Sequence, residues 1–410
     1  MSVVTASALT DFLASWDDQH LPAIPALEGA RGAAREALDA LAFPTTRTEA
    51  WKYTRLGRIE RNAWSFQHAE LDVDAFRIPG FDGVTAVFVN GFFRPELSSA
   101  ESGACIQLLD NSTETLPTPA ADQLFDNLNA AYTTGGVHLH VPKGQSLERP
   151  LHLLHVTTGE DVIAQPHHVL HVEESANATV FATFHRAGEG KHFTNALFSG
   201  SVGANAELTL EKFQEVEDAG FLICTERVDQ DRDSRFHIRT ITNSGTLVRN
   251  TLHIAINGQG CKTNLFGTYS PRGKEHVDNA TVVDHRVPNC VSNELYKGII
   301  WDQATGVFNG KVFVREDAQL TNAFQQNNNI LMSETATMNS KPELEIYADD
   351  VQCSHGSTTG QFDEEAVFYL KARGIQDINA RKMLIEAFRG EVIETIVSPT
   401  FRAWVLQRLR

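Results

Sequence analysis

From about residue 136 to residue 358, short runs of β-forming residues follow one another, and no long helical pattern interrupts them. Val137–Val141, Leu151–Val156, His168–Val172, Thr179–Phe184, Leu208–Phe213, Phe236–Ile241, Leu252–Ile256, Asn279–Val283, Lys311–Val314 and Leu344–Tyr347 are such runs. Turn residues fall between them, among them Asn257-Gly258, Pro271-Arg272-Gly273 and Asn309-Gly310. Strands without intervening helices allow a sandwich, a closed barrel or a parallel β-helix solenoid. Length favours the solenoid, because a single sandwich is usually nearer ~100 residues. Asn322, Gln325, Gln326, Asn327, Asn328, Asn329 and Asn339 crowd the last third. Stacked coils can use such amides as ladders that satisfy polar groups at corners. No strict repeat unit is visible in the sequence.

The flanks read differently. Ala6, Leu9, Phe12, Leu13 and Trp16 recur at helical spacing, Pro22 and Pro25 break the pattern, and Ala30 to Leu41 resumes it. Trp51 and Tyr53 are expected in a small satellite core. Val84–Val89 followed by Asn90-Gly91 signals a strand and turn, and 112–132 reads as a loop with a short helix. The expected division is an N-terminal helical region over 1–85, a β core over 86–358 and a helical domain over 359–410. In that last part Asp363 to Arg373 forms a helix stopped by Gly374, Asp377 caps a second that Gly390 breaks, and Pro399 opens a third. Ile378, Met383, Leu384, Ala387 and Phe388 make an apolar stripe that suits local packing or a docking surface.

The seam between sheet and helix, Asn339 to Gly374, carries the most suggestive chemistry. Cys353 and His355 are two apart, so in an extended conformation they share a face. They are read as part of a hinge. Thiolate and imidazole are good ligands for zinc and iron, but two ligands close neither a four-coordinate site nor an iron–sulfur cluster. Distant residues of this chain or a second polypeptide must complete the set. The alternative is a buried cysteine beside a hydrogen-bonded histidine. A nucleophilic dyad would need a third group to orient the base, and no neighbour supplies one.

Other functions are disfavoured. The formal charge of −17, from 35 basic and 52 acidic residues, argues against nucleic acid as a partner. Cys105, Cys224, Cys261, Cys290 and Cys353 are widely spaced with no CxxC, so free thiols in a reducing compartment are expected. The first 20 residues lack a cationic start and no run suits a membrane span, so the expected location is the cytoplasm, without membrane. Gly310-Lys311 is followed by Val312 and Gly190-Lys191 by His192, so no P-loop is present. His138 and His140 have the spacing of the cupin metal dyad. Val141 to Gly144 follow, however, and the next acid in sequence is Glu148. His167, His168 and His171 divide between the two strand faces. These histidines read as exposed or structural.

Tyr347-Ala348-Asp349-Asp350-Val351-Gln352-Cys353-Ser354-His355-Gly356, with Thr359-Gly360-Gln361-Phe362-Asp363-Glu364-Glu365, Phe368-Tyr369-Leu370 and Arg373-Gly374-Ile375, resembles the C-terminal signature of the SufB/SufD family. These are scaffold subunits of the SUF iron–sulfur cluster assembly machinery. Asn339-Ser340-Lys341-Pro342 belongs to the same pattern, and Arg47-Thr48-Glu49-Ala50-Trp51-Lys52-Tyr53-Thr54 resembles the SufD side. The resemblance implies a right-handed parallel β-helix core between helical ends and a heterocomplex with SufB and the ATPase SufC. It implies no catalysis by this subunit alone. His355, and with it Cys353, would lie at a shared SufB interface and help form a nascent cluster. Asp363, Glu364, Glu365, Phe368, Tyr369, Arg373, Met383 and Phe388 would belong to the SufC-docking region. No tightly bound cofactor is implied, only transient iron or an iron–sulfur cluster in the complex, and no motif supports a flavin. The isolated chain could form a homodimer. The rival reading is a carbohydrate-active enzyme built on a parallel β-helix.

Overall fold

The computed structural model describes residues 4–14, 16, 21–99, 105–112 and 116–410. Of the stretches read above, 1–3, 15, 17–20 and 113–115 lie outside the described residues. The body is a parallel β-solenoid of two facing ten-stranded sheets. One sheet runs in space from Val84–Val89 through Leu151–Thr158, Asn177–Ala187, Glu207–Glu215, Arg235–Ser244, Lys262–Tyr269, Val291–Ile300 and Asn322–Leu331 to Gln352–Gln361. The other ends on Thr337–Ile346, preceded by Thr305–Val314 and His276–His285. From Asn177–Ala187 onward each coil gives one strand to each sheet, so each strand pairs in parallel with the next but one.

The coil length explains why no repeat was visible. Register partners on successive coils lie 27 residues apart at His237–Asn264, 29 at Asn264–Asn293 and 31 at Glu294–Gln325. The drift is taken up in turns while one corner stays constant. Ser175, Asn205, Asp233, Gly260, Asn289 and Leu320 each precede a strand by one intervening residue, and each has φ between 56° and 77°. Asn, Asp and Gly tolerate this left-handed conformation; Ser175 and Leu320 are the exceptions, and Leu320 is the bulkier.

Between the sheets lies one continuous apolar core, including Leu208, Phe236, Ile238, Leu265, Phe308 and Val312. Buried polar groups interrupt it in pairs. The Lys212 ammonium meets the Glu226 carboxylate, with Asn250 Oδ1 at 3.3 Å. Burial holds the neighbouring Cys224 thiol protonated, well above its ordinary range. The amides expected at corners are partly interior. Asn327 and Asn329 are buried around Tyr269, whose hydroxyl donates to Asn329 Oδ1 at 2.7 Å. Only alternate residues of a strand face outward, so a run of asparagines must place some inside.

The helical ends pack on the outside. Leu9, Phe12, Trp16, Ala34 and Leu38 share a cluster with Phe125, Phe193 and Phe221. Trp51 packs at its margin with the Arg249 guanidinium 3.8 Å from its ring centroid, while Tyr53 is exposed rather than in a satellite core. At the other end Pro399–Arg408 buries Phe401, Trp404 and Val405 against Phe181, Phe213 and Ile241, with Ser398 Oγ capping the Phe401 N–H. The preceding helix, Asp377–Ile393, runs through Gly390, which does not break it. An interior glycine costs a helix about 1 kcal/mol, and burial of Ile385, Val392 and Ile393 offsets that. Asp377 is its first residue, not its cap; its carboxylate binds Lys371 and Arg381, each at 2.9 Å.

Candidate functional site at the closing edge

The solenoid ends on two strands with no further partner among the described residues. They are Thr337–Ile346 in one sheet and Gln352–Gln361 in the other. The second runs unbroken through Cys353 and His355, so these residues are not a hinge. Local composition, Ser354-His355-Gly356-Ser357-Thr358-Thr359-Gly360, suggests a loop. Ten register pairs with Asn322–Leu331 override it. Phe362 alone separates the strand from the Asp363 cap, whose carboxylate accepts from the Ala366 N–H at 3.0 Å.

Alternation places Cys353, His355, Ser357 and Thr359 on the inward face of this last strand. Cys353 lies over Ala323 and packs on the main core. It is half-buried, and burial raises its thiol pKa. His355 is exposed and lies over Gln325. The Gln325 amide donates to Glu294 one coil deeper, at 2.7 Å. Burial in the solenoid raises the Glu294 carboxyl to about 7. Ser357 Oγ donates to Ser340 Oγ at 2.7 Å across to the opposite edge strand. The thiol and imidazole expected to stand side by side therefore do so, on a rigid strand, at the rim of a partly polar interior.

Backbone groups add to this. The Gln352 N–H donates to the Thr321 carbonyl. In a parallel ladder alternate residues turn their N–H and C=O to opposite neighbours, so those of Cys353, His355, Ser357 and Thr359 face the open side. Pro342, without an N–H, interrupts the companion edge. Such unpaired edges are templates for another chain.

Glu364–Lys371 and Asp377–Ile393 form a pair held by the Arg381 guanidinium, which grips the Glu364 carboxylate at 2.9 and 2.8 Å. The pair exposes Phe368, Tyr369, Ile378 and Met383, by 73%, 56%, 74% and 48%. Glu365 and Arg373 border Phe368, with the Arg373 guanidinium 3.3 Å from the Tyr369 ring centroid. Phe388 lies elsewhere: it is half-buried against the solenoid beneath the Lys297 ammonium. Asp363 and Glu364, both exposed, serve the helix cap and the ion pair. Ile378 is the most exposed large apolar residue of the pair, although only its place in the apolar stripe singled it out in the sequence.

Two family models match consecutive parts of the chain. Residues 155–388 match "SUF system FeS cluster assembly, SufBD core domain", and residues 19–153 match "SufBD protein N-terminal region". The chain belongs to the SufBD family. It is 32% identical over 375 residues to the iron-sulfur cluster assembly protein SufD of Escherichia coli, covering 90% of this chain and 88% of the relative. A SufBD family protein of Synechocystis is 32% identical over 394 residues, covering 89% and 86%. The chloroplastic protein ABCI7 of Arabidopsis thaliana is 28% identical over 416 residues, covering 95% and 86%. As a SufBD-family member and SufD homologue, the chain is an iron–sulfur cluster assembly protein. Its core-domain match extends through the closing strand and into the second helix, so Cys353, His355 and most of the exposed helix face lie within it. No helix among the described residues is long and apolar enough to cross a membrane.

Proposed function

We propose that this chain is a non-catalytic scaffold subunit that pairs with SufB through its closing edge and receives the ATPase SufC on its C-terminal helices. The observation that carries the reading is the placement of Cys353 and His355 on an unpaired edge strand. A ligand set of two becomes sufficient only when a facing chain supplies the rest, and unpaired backbone groups on the same strand give that chain a means of docking. Iron or a nascent cluster is then cargo held across the seam, with the exposed imidazole of His355 the readier ligand and the half-buried Cys353 thiol the more guarded one.

The helix pair suits SufC because it exposes large apolar side chains, Phe368 and Tyr369 in a shallow groove beside Glu365 and Arg373, as helix-borne docking sites do. Nucleotide-driven movement of SufC would act on that pair. It cannot pivot on Cys353 and His355, which are fixed mid-strand. The only residue between strand and capped helix is Phe362, and movement transmitted there would act on the far end of the strand that carries His355. A second copy of this chain could occupy the same edge, which makes a homodimer the competing assembly. Co-purification from the native host, followed by size exclusion of the isolated chain and of mixtures with SufB and SufC, separates them. A ternary complex supports the proposal; a homodimer that ignores both proteins contradicts it.

A further inference from the structure

A second group of metal-ligating side chains lies far from the closing edge. His140 and His171 are register partners on the adjacent strands Val137–Val141 and His167–Val172. These strands lie toward the opposite end of their sheet from Thr337–Ile346. Leu139, Val141, Leu170 and Val172 point into the core, so the two histidines point outward. Their ring centroids are 5.3 Å apart. Glu173 follows His171 on the same face, and its Oε1 lies 2.9 Å from His140 Nε2. One ligand atom from each of the three lies within 4.8 Å of the others, and all three residues are half-buried.

We propose that His140, His171 and Glu173 bind one divalent first-row transition-metal ion. Two imidazoles and one carboxylate on a shared face, with further positions open, are a donor set for zinc or ferrous iron. The 2.9 Å separation of His140 and Glu173 is what two ligands each about 2 Å from one ion adopt. The outer partners are in place. Ser201, in register with His171, lies 2.6 Å from its Nδ1 and so leaves Nε2 for the ion. Glu173 Oε2 accepts from the Lys143 N–H at 2.8 Å, which fixes the carboxylate. The Lys143 ammonium is held by Glu174 at 2.6 Å and does not compete for Glu173. Glu174, Asp229 and Asp231 line the adjoining open groove of about 510 Å³ and favour a cation there. Each side chain belongs to a strand or directly follows one, so little ordering is needed on binding. In sequence the acid after His140 is Glu148, so no third ligand stands out there. The acid comes from the next coil.

The test uses the full chain freed of metal with a chelator. Zn2+ is titrated against a chromophoric competitor, and Fe2+ is titrated without oxygen. Wild type is compared with His171→Ala, Glu173→Gln and a Cys353→Ser/His355→Ala double variant. We expect one equivalent of at least one of the two ions to bind wild type and the double variant alike. Affinity should fall at least about tenfold in His171→Ala and Glu173→Gln, and the ion should raise the melting temperature of wild type but not of those two. Zinc without iron, or the reverse, identifies the ion. Equal binding by wild type and both site variants overturns the proposal, as does no binding of either ion. Loss of the same equivalent in the double variant instead places the metal at the closing edge and also overturns it.

Discussion

Gln325 lies in register beneath His355, and its amide donates to the buried Glu294 carboxylate at 2.7 Å. The rim histidine thus stands two coils above a titratable group deep in the solenoid. Burial raises the Glu294 carboxyl from its ordinary 4.5 to about 7. The native state therefore holds this proton more tightly than the unfolded chain. Its stabilising effect is complete below the unfolded value and is lost as pH rises through about 7. Glu294→Gln keeps a partner for Gln325 and abolishes the titration. Urea unfolding should show the variant gaining on wild type between pH 5 and pH 8, by up to roughly 3 kcal/mol. A difference independent of pH would show that Glu294 does not titrate in this range.

The open edge can be blocked without touching the fold. The Thr359 N–H faces outward and is not used by Asn322–Leu331, so Thr359→Pro removes a donor only from an incoming strand. Circular dichroism and thermal melting of the isolated variant should be close to wild type, while SufB recovered with it falls at least about tenfold. Undiminished recovery would mean that SufB does not add to this strand.

The helix face makes a separate claim. Phe368 and Ile378 are exposed by 73% and 74%, so alanine at both should leave stability within about 0.5 kcal/mol. SufC binding, measured by titration calorimetry, should weaken by at least about tenfold if they are central to the contact. Phe388→Ala should instead destabilise the chain, because that ring packs under Lys297. The opposite pattern would reverse the assignment of the two faces.

Leu320 has φ +58° at the corner where Asn205 and Asn289 occupy equivalent positions. A left-handed conformation costs an ordinary side chain about 1 kcal/mol or more, and Leu320 is exposed, so little packing is at stake. Leu320→Asn should raise the urea midpoint, by about 1 kcal/mol in stability. An unchanged or lower midpoint would mean that the leucine is held there by contacts worth as much.

The solenoid was legible because turn signals separated β runs over a length no sandwich needs, even though a period drifting from 27 to 31 residues concealed the repeat. The pairing of Cys353 with His355 was legible from their spacing alone. The strand that holds them was not, because its Ser, Gly and Thr residues are ordered by pairing with Asn322–Leu331 rather than by their own propensity. Gly390 misled for the same reason, since packing on the solenoid carries its helix past it. The Glu294–Gln325–His355 column and the His140–His171–Glu173 group each join residues from separate coils. Such neighbours emerge only once strand register is known.

In the proposed assembly, His355 completes a cluster-forming site shared with a second subunit. It is tested most directly by iron and acid-labile sulfide per complex after co-expression of His355→Ala with SufB and SufC. An intact complex is expected, with a cluster content at least about tenfold below wild type. An intact complex carrying the wild-type amount of cluster would contradict it.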